Sequence, residues 1–196
     1  MTQNLPAAGI YLVQAFFGLY VYLIMTRFLM QIARTDYYNP ICQAIVKITD
    51  PAIKRVRTFV PTLYGIDFAT LLVALVIQTV ALMLIMLIAG RPFFDPYYIA
   101  WALLGLASIV LTIYFLAMLV VFIASWLAPD GGHPALSLVN QLTEPLRAPV
   151  RRLVPPMGGL DLSFLFVIVA LHLVDLLVID QIRQVLGMSS GLVYGL

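Results

Sequence analysis

The sequence predicts an all-α membrane protein with four transmembrane helices arranged as two parallel tandem repeats. Three observations lead there. The chain of 196 residues is 63% hydrophobic and only 10% charged, and its mean hydropathy is +1.03. Soluble domains carry about 25% charged residues, so water cannot be the solvent for most of this surface, and a bilayer must be. Four apolar stretches each approach the roughly 20 residues that cross a hydrocarbon core. Finally, the two halves align with each other without a gap.

The first span is expected over about residues 8–32, with Arg27 near its end. Residues 1–26 hold no Lys or Arg, so the basic segment of a cleavable signal peptide is missing and this span reads as retained. The second span is expected over 66–89, with Asp67 at its start. The third covers 97–127 without an internal charge. The fourth covers about 162–180 and carries His172 and Asp175. Between the second and third lies a short turn with Pro92 and Pro96, which break helices. Its Phe93, Phe94, Tyr97, Tyr98 and nearby Trp101 fit an interfacial aromatic belt.

The two longer connections hold eight of the eleven basic residues: Arg34, Lys47, Lys54, Arg55 and Arg57 in one, Arg147, Arg151 and Arg152 in the other. Two spans separate them, so they share a side. The positive-inside rule makes that side cytoplasmic and puts both termini outside. Net charge is +2, which gives no reason to expect nucleic acid as a partner. Cys42 is the single cysteine; no intrachain disulfide can form, and nothing near it in sequence suggests activation. Two histidines and one cysteine cannot make a four-ligand zinc site alone.

A shift of 94 residues superposes the halves, 1–93 and 94–196. Asp50-Pro51 meets Glu144-Pro145, Arg57 meets Arg151, Pro61 meets Pro155, Gly65 meets Gly159, and Asp67 meets Asp161. Prolines and glycines dictate backbone geometry, so their recurrence implies one local shape used twice. Each unit reads as a span, a re-entrant or surface helical pair, a Pro/Gly turn and a second span. Each crosses twice, so the repeat is parallel and unlike the inverted repeats of many transporters.

Asp50-Pro51 and Glu144-Pro145 each look like a helix start, because proline is tolerated at the first helical position and an acid suits the positive end of the dipole. Downstream, Ile53, Val56 and Val60, and then Leu146, Val150 and Leu153, make apolar faces. Lys54, Arg55, Arg57, Arg147, Arg151 and Arg152 flank them. That pattern describes helices lying in the headgroup layer against anionic lipid; a plain topology-setting charged loop is the blander alternative. Asp67 and Asp161 read first as N-caps of the second and fourth spans, with an ion-binding pair as the alternative.

The string from Thr143 through Ser163, with Glu144-Pro145, Arg151-Arg152, Pro155-Pro156, Gly158-Gly159 and Asp161, closely resembles the signature of the YggT (YlmG) family. Ser125-Trp126 and Pro134 fit it too. The first half is a worn copy, with Tyr64-Gly65 for Gly-Gly and Phe68-Ala69 for Leu-Ser. The resemblance implies an integral protein of the bacterial inner membrane in the two-repeat, Gram-negative form. Family members are linked to osmotic and ion homeostasis, to cytochrome complex assembly in chloroplasts, and to division or nucleoid placement. No shared biochemical activity comes with the family name.

His172 and Asp175 sit i, i+3 on the fourth span and share a face. Counted from Asp161, His172 lies roughly 16 Å into the membrane at 1.5 Å per residue. Ionisable groups there usually face a bundle interior or a watery cavity. Gln78 is the repeat mate of His172, and Ser108 and Thr112 offer hydroxyls on the third span. Together they suggest a polar seam for a proton or cation, against the alternative of interhelical hydrogen bonds that hold spans together. Gly187, Gly191 and Gly195 read as a loosely ordered tail. No phosphate loop, nucleophile elbow, zinc-protease pair or dinucleotide fingerprint occurs, so neither a cofactor nor an enzymatic activity is expected. Two functions compete. One is a scaffold or assembly factor that docks anionic lipid and other membrane subunits through its basic helices. The other is an oligomeric channel or ion-transport subunit.

Overall fold

A computed structural model describes residues 4–62, 65–127, 133–153 and 163–188. Its helices are α1 (Asn4–Ile32), α2 (Pro40–Arg57), α3 (Phe68–Ile88), α4 (Tyr97–Leu127), α5 (Pro134–Leu153), α6 (Ser163–Val174), a π-helical turn (Asp175–Ile179) and α7 (Asp180–Val185). Four stretches are long and apolar enough to cross a membrane: Leu5–Ile32, Phe68–Ile88, Tyr97–Ser125 and Ser163–Val185. The fourth span is therefore longer than the expected 162–180, because helix continues through the π turn as far as Val185. The chain is a multi-pass membrane protein.

The spans are apolar on all sides, as helices immersed in lipid must be. At 29 and 31 residues, α1 and α4 exceed the hydrocarbon thickness; at 1.5 Å per residue they reach about 43–47 Å, so their ends run into the headgroup zone or the helices tilt. Three of the helix ends close by the same device, a residue in the left-handed conformation followed by a 6→1 hydrogen bond. Arg34 (φ 52°), Gly90 (φ 70°) and Gly187 (φ 61°) supply it, with Thr35 N–H on the Met30 carbonyl, Arg91 N–H on Met86 and Met188 N–H on Arg183.

The connecting segments correct the sequence reading. Each is one continuous helix rather than a pair, and Pro51 and Pro145 lie inside it. Helix starts instead fall at Pro40 and Pro134. Asn39 caps α2 by accepting the Ile41 N–H at 2.9 Å. A buried threonine stands two residues before Pro51 and before Pro145, and α5 carries Pro149 as well. Thr49 donates its hydroxyl to the Ile45 carbonyl (2.7 Å) and Thr143 donates to Val139 (2.9 Å). Such back-bonding bends a helix at the place where proline removes a ladder bond.

The core is shared by all these elements. Val21, Ile24 and Met25 of α1, Val73 and Ala74 of α3, and Leu106, Ile109 and Ile113 of α4 form one buried cluster with Ile45 and Ile53 of α2 and Leu138 and Leu142 of α5. Helix α4 is central, packed on α1, α3, α5 and α6, while α2 and α5 also touch each other. There Asn39 Nδ2 donates to the Pro134 carbonyl at 2.7 Å, and Asp36 N–H donates to Gln141 Oε1 at 2.7 Å. A second cluster at the opposite end joins Leu82, Met86, Tyr98, Trp101 and Ala102 to Ile179 and Met188. Tyr98 and Trp101 are therefore packed inside, not displayed in an aromatic belt. Their polar ends are met by the Pro92 carbonyl and the Leu186 carbonyl, while Phe93, Phe94 and Tyr97 remain exposed.

Candidate functional site: a basic collar and a groove within the spans

The collar is built on α2 and α5, whose apolar faces rest on the bundle. Sequence reasoning treated its six cations alike, and the structure separates them. Arg147 is buried, donating to Asn140 Oδ1 at 3.0 Å, so it belongs to the interior and not to a lipid or partner surface. Arg57 pairs with the fully buried Asp67. Arg151 pairs with Glu144 at 2.6 Å and Lys54 with Asp50 at 2.8 Å. Arg55 and Arg152 are exposed and have no ion pair among the described residues. Around them stand exposed apolar groups, Tyr37, Tyr38 and Phe59 at the ends of α2 and Leu153 at the end of α5. Cations beside aromatic and aliphatic side chains at one level suit a headgroup layer.

One contributor was not read from sequence beyond its position. Arg27, near the end of α1, is buried and shares its Nη1 among Asp50 Oδ1 (2.9 Å), Thr49 Oγ1 (2.9 Å) and the Val46 carbonyl (3.3 Å). It ties a span to the collar helix. The second half reaches the same end differently. Arg147, in the register of Ile53, brings its guanidinium to Thr143, the mate of Thr49, at 3.5 Å. A basic residue late in an apolar span, 23 residues before an acid, was the signal available.

Asp50 and Asp67 are held as carboxylates. The Lys54 ammonium and then the Arg27 guanidinium keep Asp50 below the usual range. For Asp67, burial pushes upward, but hydrogen bonds from Thr70 and Arg57 outweigh it and the carboxyl stays low. Asp67 caps α3 as expected, accepting from the Thr70 hydroxyl (2.7 Å) and the Thr70 N–H (3.4 Å). Gly65, at φ 81°, takes the left-handed conformation. Pro61 lies in the irregular link before it. Pro155, Gly158, Gly159 and Asp161, with Gly191 and Gly195, lie outside the described residues. Burial pushes the Cys42 thiol up.

The groove lies between α4 and the fourth span. Ser108, Thr112, His172 and Asp175 line a cavity of about 230 Å³ with Leu111, Phe115 and Leu171. Four of the five polar residues expected in a seam thus meet. Gln78 does not line this cavity; it is buried on α3. His172 also departs from expectation, being exposed at the surface of the bundle instead of enclosed by it. The fourth span is the least enclosed of the four. At Asp175 the helix widens into the π turn, with the Asp180 N–H on the Asp175 carbonyl; such turns recur at functional positions. Among the described residues, no three metal-binding side chains converge.

The family model described as CCB3/YggT matches this chain twice, over residues 7–88 and 100–182. An uncharacterized protein of Pseudomonas aeruginosa is 39% identical over 191 residues, covering 96% of this chain and 97% of the relative. An uncharacterized protein of the proC 3′ region of Vibrio alginolyticus is 37% identical over 177 residues, 89% and 95% of the two chains. The uncharacterized protein YggT of Escherichia coli is 34% identical over 173 residues, 88% and 90%. No solved structure matches.

Proposed function

This chain belongs to the CCB3/YggT family, and on that premise we propose that it is an inner-membrane scaffold or assembly factor. In this reading the α2–α5 collar faces the cytoplasm, both termini face the periplasm, and the exposed cations dock anionic lipid and other membrane subunits. The observation that carries it is the division of labour in the collar. Four of the six cations are buried or ion-paired, whereas Arg55 and Arg152 stand exposed, with exposed Phe59 and Leu153 near them in sequence. The bundle interior supports it too. Val21, Ile24, Met25, Ile109 and Met118 are at most 2% exposed, which leaves an apolar plug where a single chain would need a pore.

The test uses the intact protein purified from membranes in mild detergent. Anionic lipid and a stoichiometric membrane partner should remain with the wild type. Both should be depleted from Arg55→Gln/Arg152→Gln, since two cations at about 1 kcal/mol each correspond to roughly 30-fold in affinity. Equal retention by the two proteins refutes the docking role. Arg57 and Arg151 are poor probes, because their loss would also unpair Asp67 and Glu144.

A second reading, an ion-transport subunit active in osmotic adaptation, draws on the meeting of His172, Asp175, Ser108 and Thr112 in one cavity. It requires ion flux into vesicles reconstituted with the protein above that of empty vesicles, and loss of that flux in His172→Leu.

A further inference from the structure

The α4–α6 groove is uncovered in one half of the chain and covered in the other. In the 94-residue register, the seam formed by α4 and the fourth span corresponds to the seam formed by α1 and α3. His172 is the mate of Gln78, Asp175 of Ala81 and Leu176 of Leu82. Gln78, Ala81 and Leu82 are all buried, whereas His172 and Leu176 are exposed and Asp175 is half-buried. The difference has a visible cause. Helix α4 lies over the first seam, with Leu106, Ile109 and Ile113 in one cluster with Val21, Val73 and Ala74. The fourth span packs mainly on α4 and α5 and shares a cluster with α3 toward its far end, through Ile179. Among the described residues, only α4 and the fourth span line the cavity of the second seam.

The covering stripe of α4 has its own counterpart. Ala102, Gly105, Leu106, Ile109 and Ile113 are buried against the first half. Their mates on α1 are Ala8, Tyr11, Leu12, Ala15 and Leu19, and every one of them is exposed. Among the described residues, one seam and one stripe are thus left uncovered, each the repeat mate of a partner in an interface that already exists within the molecule. Tyr11 stands where α4 has Gly105. Gly105 is buried at the first seam, while the second holds a 230 Å³ cavity with room for an aromatic ring. Leu82 and Ala102 share a cluster, which sets the level; by the same register Tyr11 would reach the height of His172. A histidine and an aspartate near mid-membrane are costly without a polar neighbour, and a phenol supplies one.

We propose that a second copy of this chain covers the α4–α6 groove, laying the Ala8–Leu19 stripe of its α1 there and inserting Tyr11 toward His172 and Asp175. The contact is head-to-tail, since the two surfaces differ, and it continues the stacking of the first repeat on the second. It does not depend on whether the assembly acts as scaffold or conduit.

The experiment is disulfide crosslinking in native membranes, on a Cys42→Ser background. One tagged chain carries Ala8→Cys and a differently tagged chain carries Leu176→Cys. Both sites are exposed, so folding is preserved. The expected result is a mixed 8–176 dimer that exceeds either self-crosslinked product, and a ladder of higher species when one chain carries both substitutions. Tyr11→Phe should loosen self-association about 5-fold by removing one hydrogen bond of about 1 kcal/mol. A 176–176 product in excess, an oligomer without the 8–176 product, a chain that stays monomeric by native mass measurement, or capture of a different protein at position 176 each overturns the proposal. Unchanged association in Tyr11→Phe removes Tyr11 from the groove.

Discussion

Removing either partner of the Arg27–Asp50 pair should cost different amounts, and the difference follows from burial. The Arg27 side chain is 8% exposed and that of Asp50 is 21% exposed. Asp50 keeps a second cation when Arg27 is lost, because Lys54 Nζ stands 2.8 Å from its other oxygen. Arg27→Met therefore removes a charge-assisted hydrogen bond but strands nothing, at about 1.5–3 kcal/mol. Asp50→Ala leaves the guanidinium with only the Thr49 hydroxyl and the Val46 carbonyl. An uncompensated buried charge costs about 3–5 kcal/mol. The double substitution should cost less than the sum, with a coupling of about 2 kcal/mol. The assay is loss of helical signal with increasing SDS fraction in mixed micelles, across the four proteins of the cycle. Equal costs for the two single changes, or strict additivity, would mean that the guanidinium reaches headgroup water once the carboxylate is gone. The reasoning about a sealed tie between α1 and α2 would then fail.

Stability should fall on acidification in a definite window. Asp67 and Asp50 have lowered folded values, so the unfolded chain takes up protons first, below about pH 4. Their contribution is complete above that point and is lost as pH drops through the folded values; Asp67→Asn should flatten the acid limb of a melting-temperature profile. Gly65→Ala and Arg34→Gly should have opposite signs. A Cβ at Gly65 meets nothing within 4 Å, so the cost of about 1 kcal/mol is purely the left-handed backbone, whereas relieving Arg34 of that conformation gains about 0.5–1 kcal/mol. Thermal denaturation of both variants checks this. Cys42 is 1% exposed and its thiol is pushed up by burial, so maleimide should label it only after unfolding; rapid labelling of folded protein would contradict the packing of α2.

Spans, duplication and the Asp67 cap were all legible in sequence, because each depends on local rules: length of apolar runs, recurrence of Pro and Gly, and an acid before a helix. The collar misled where tertiary contacts override those rules. Asp50-Pro51 has the composition of a helix start, yet Asn39-Pro40 upstream supplies a better one, and α2 runs on through Pro51. Arg147 follows the spacing of a surface cation but stands in the register of Ile53, which is 0% exposed. Periodicity fixes which face a residue occupies, not whether a neighbour lies over it. The same gap explains Gln78 and His172, mates in sequence that differ in environment because α4 covers only one of them.

The wide turn at Asp175–Ile179 behaves as an expansion joint. Accommodating an extra residue there lets everything downstream keep the phase of a helix one residue shorter, so Ile179 still reaches the Trp101 cluster and Leu186 still meets the indole. A single-residue insertion or deletion within this turn should therefore be absorbed without repacking the bundle.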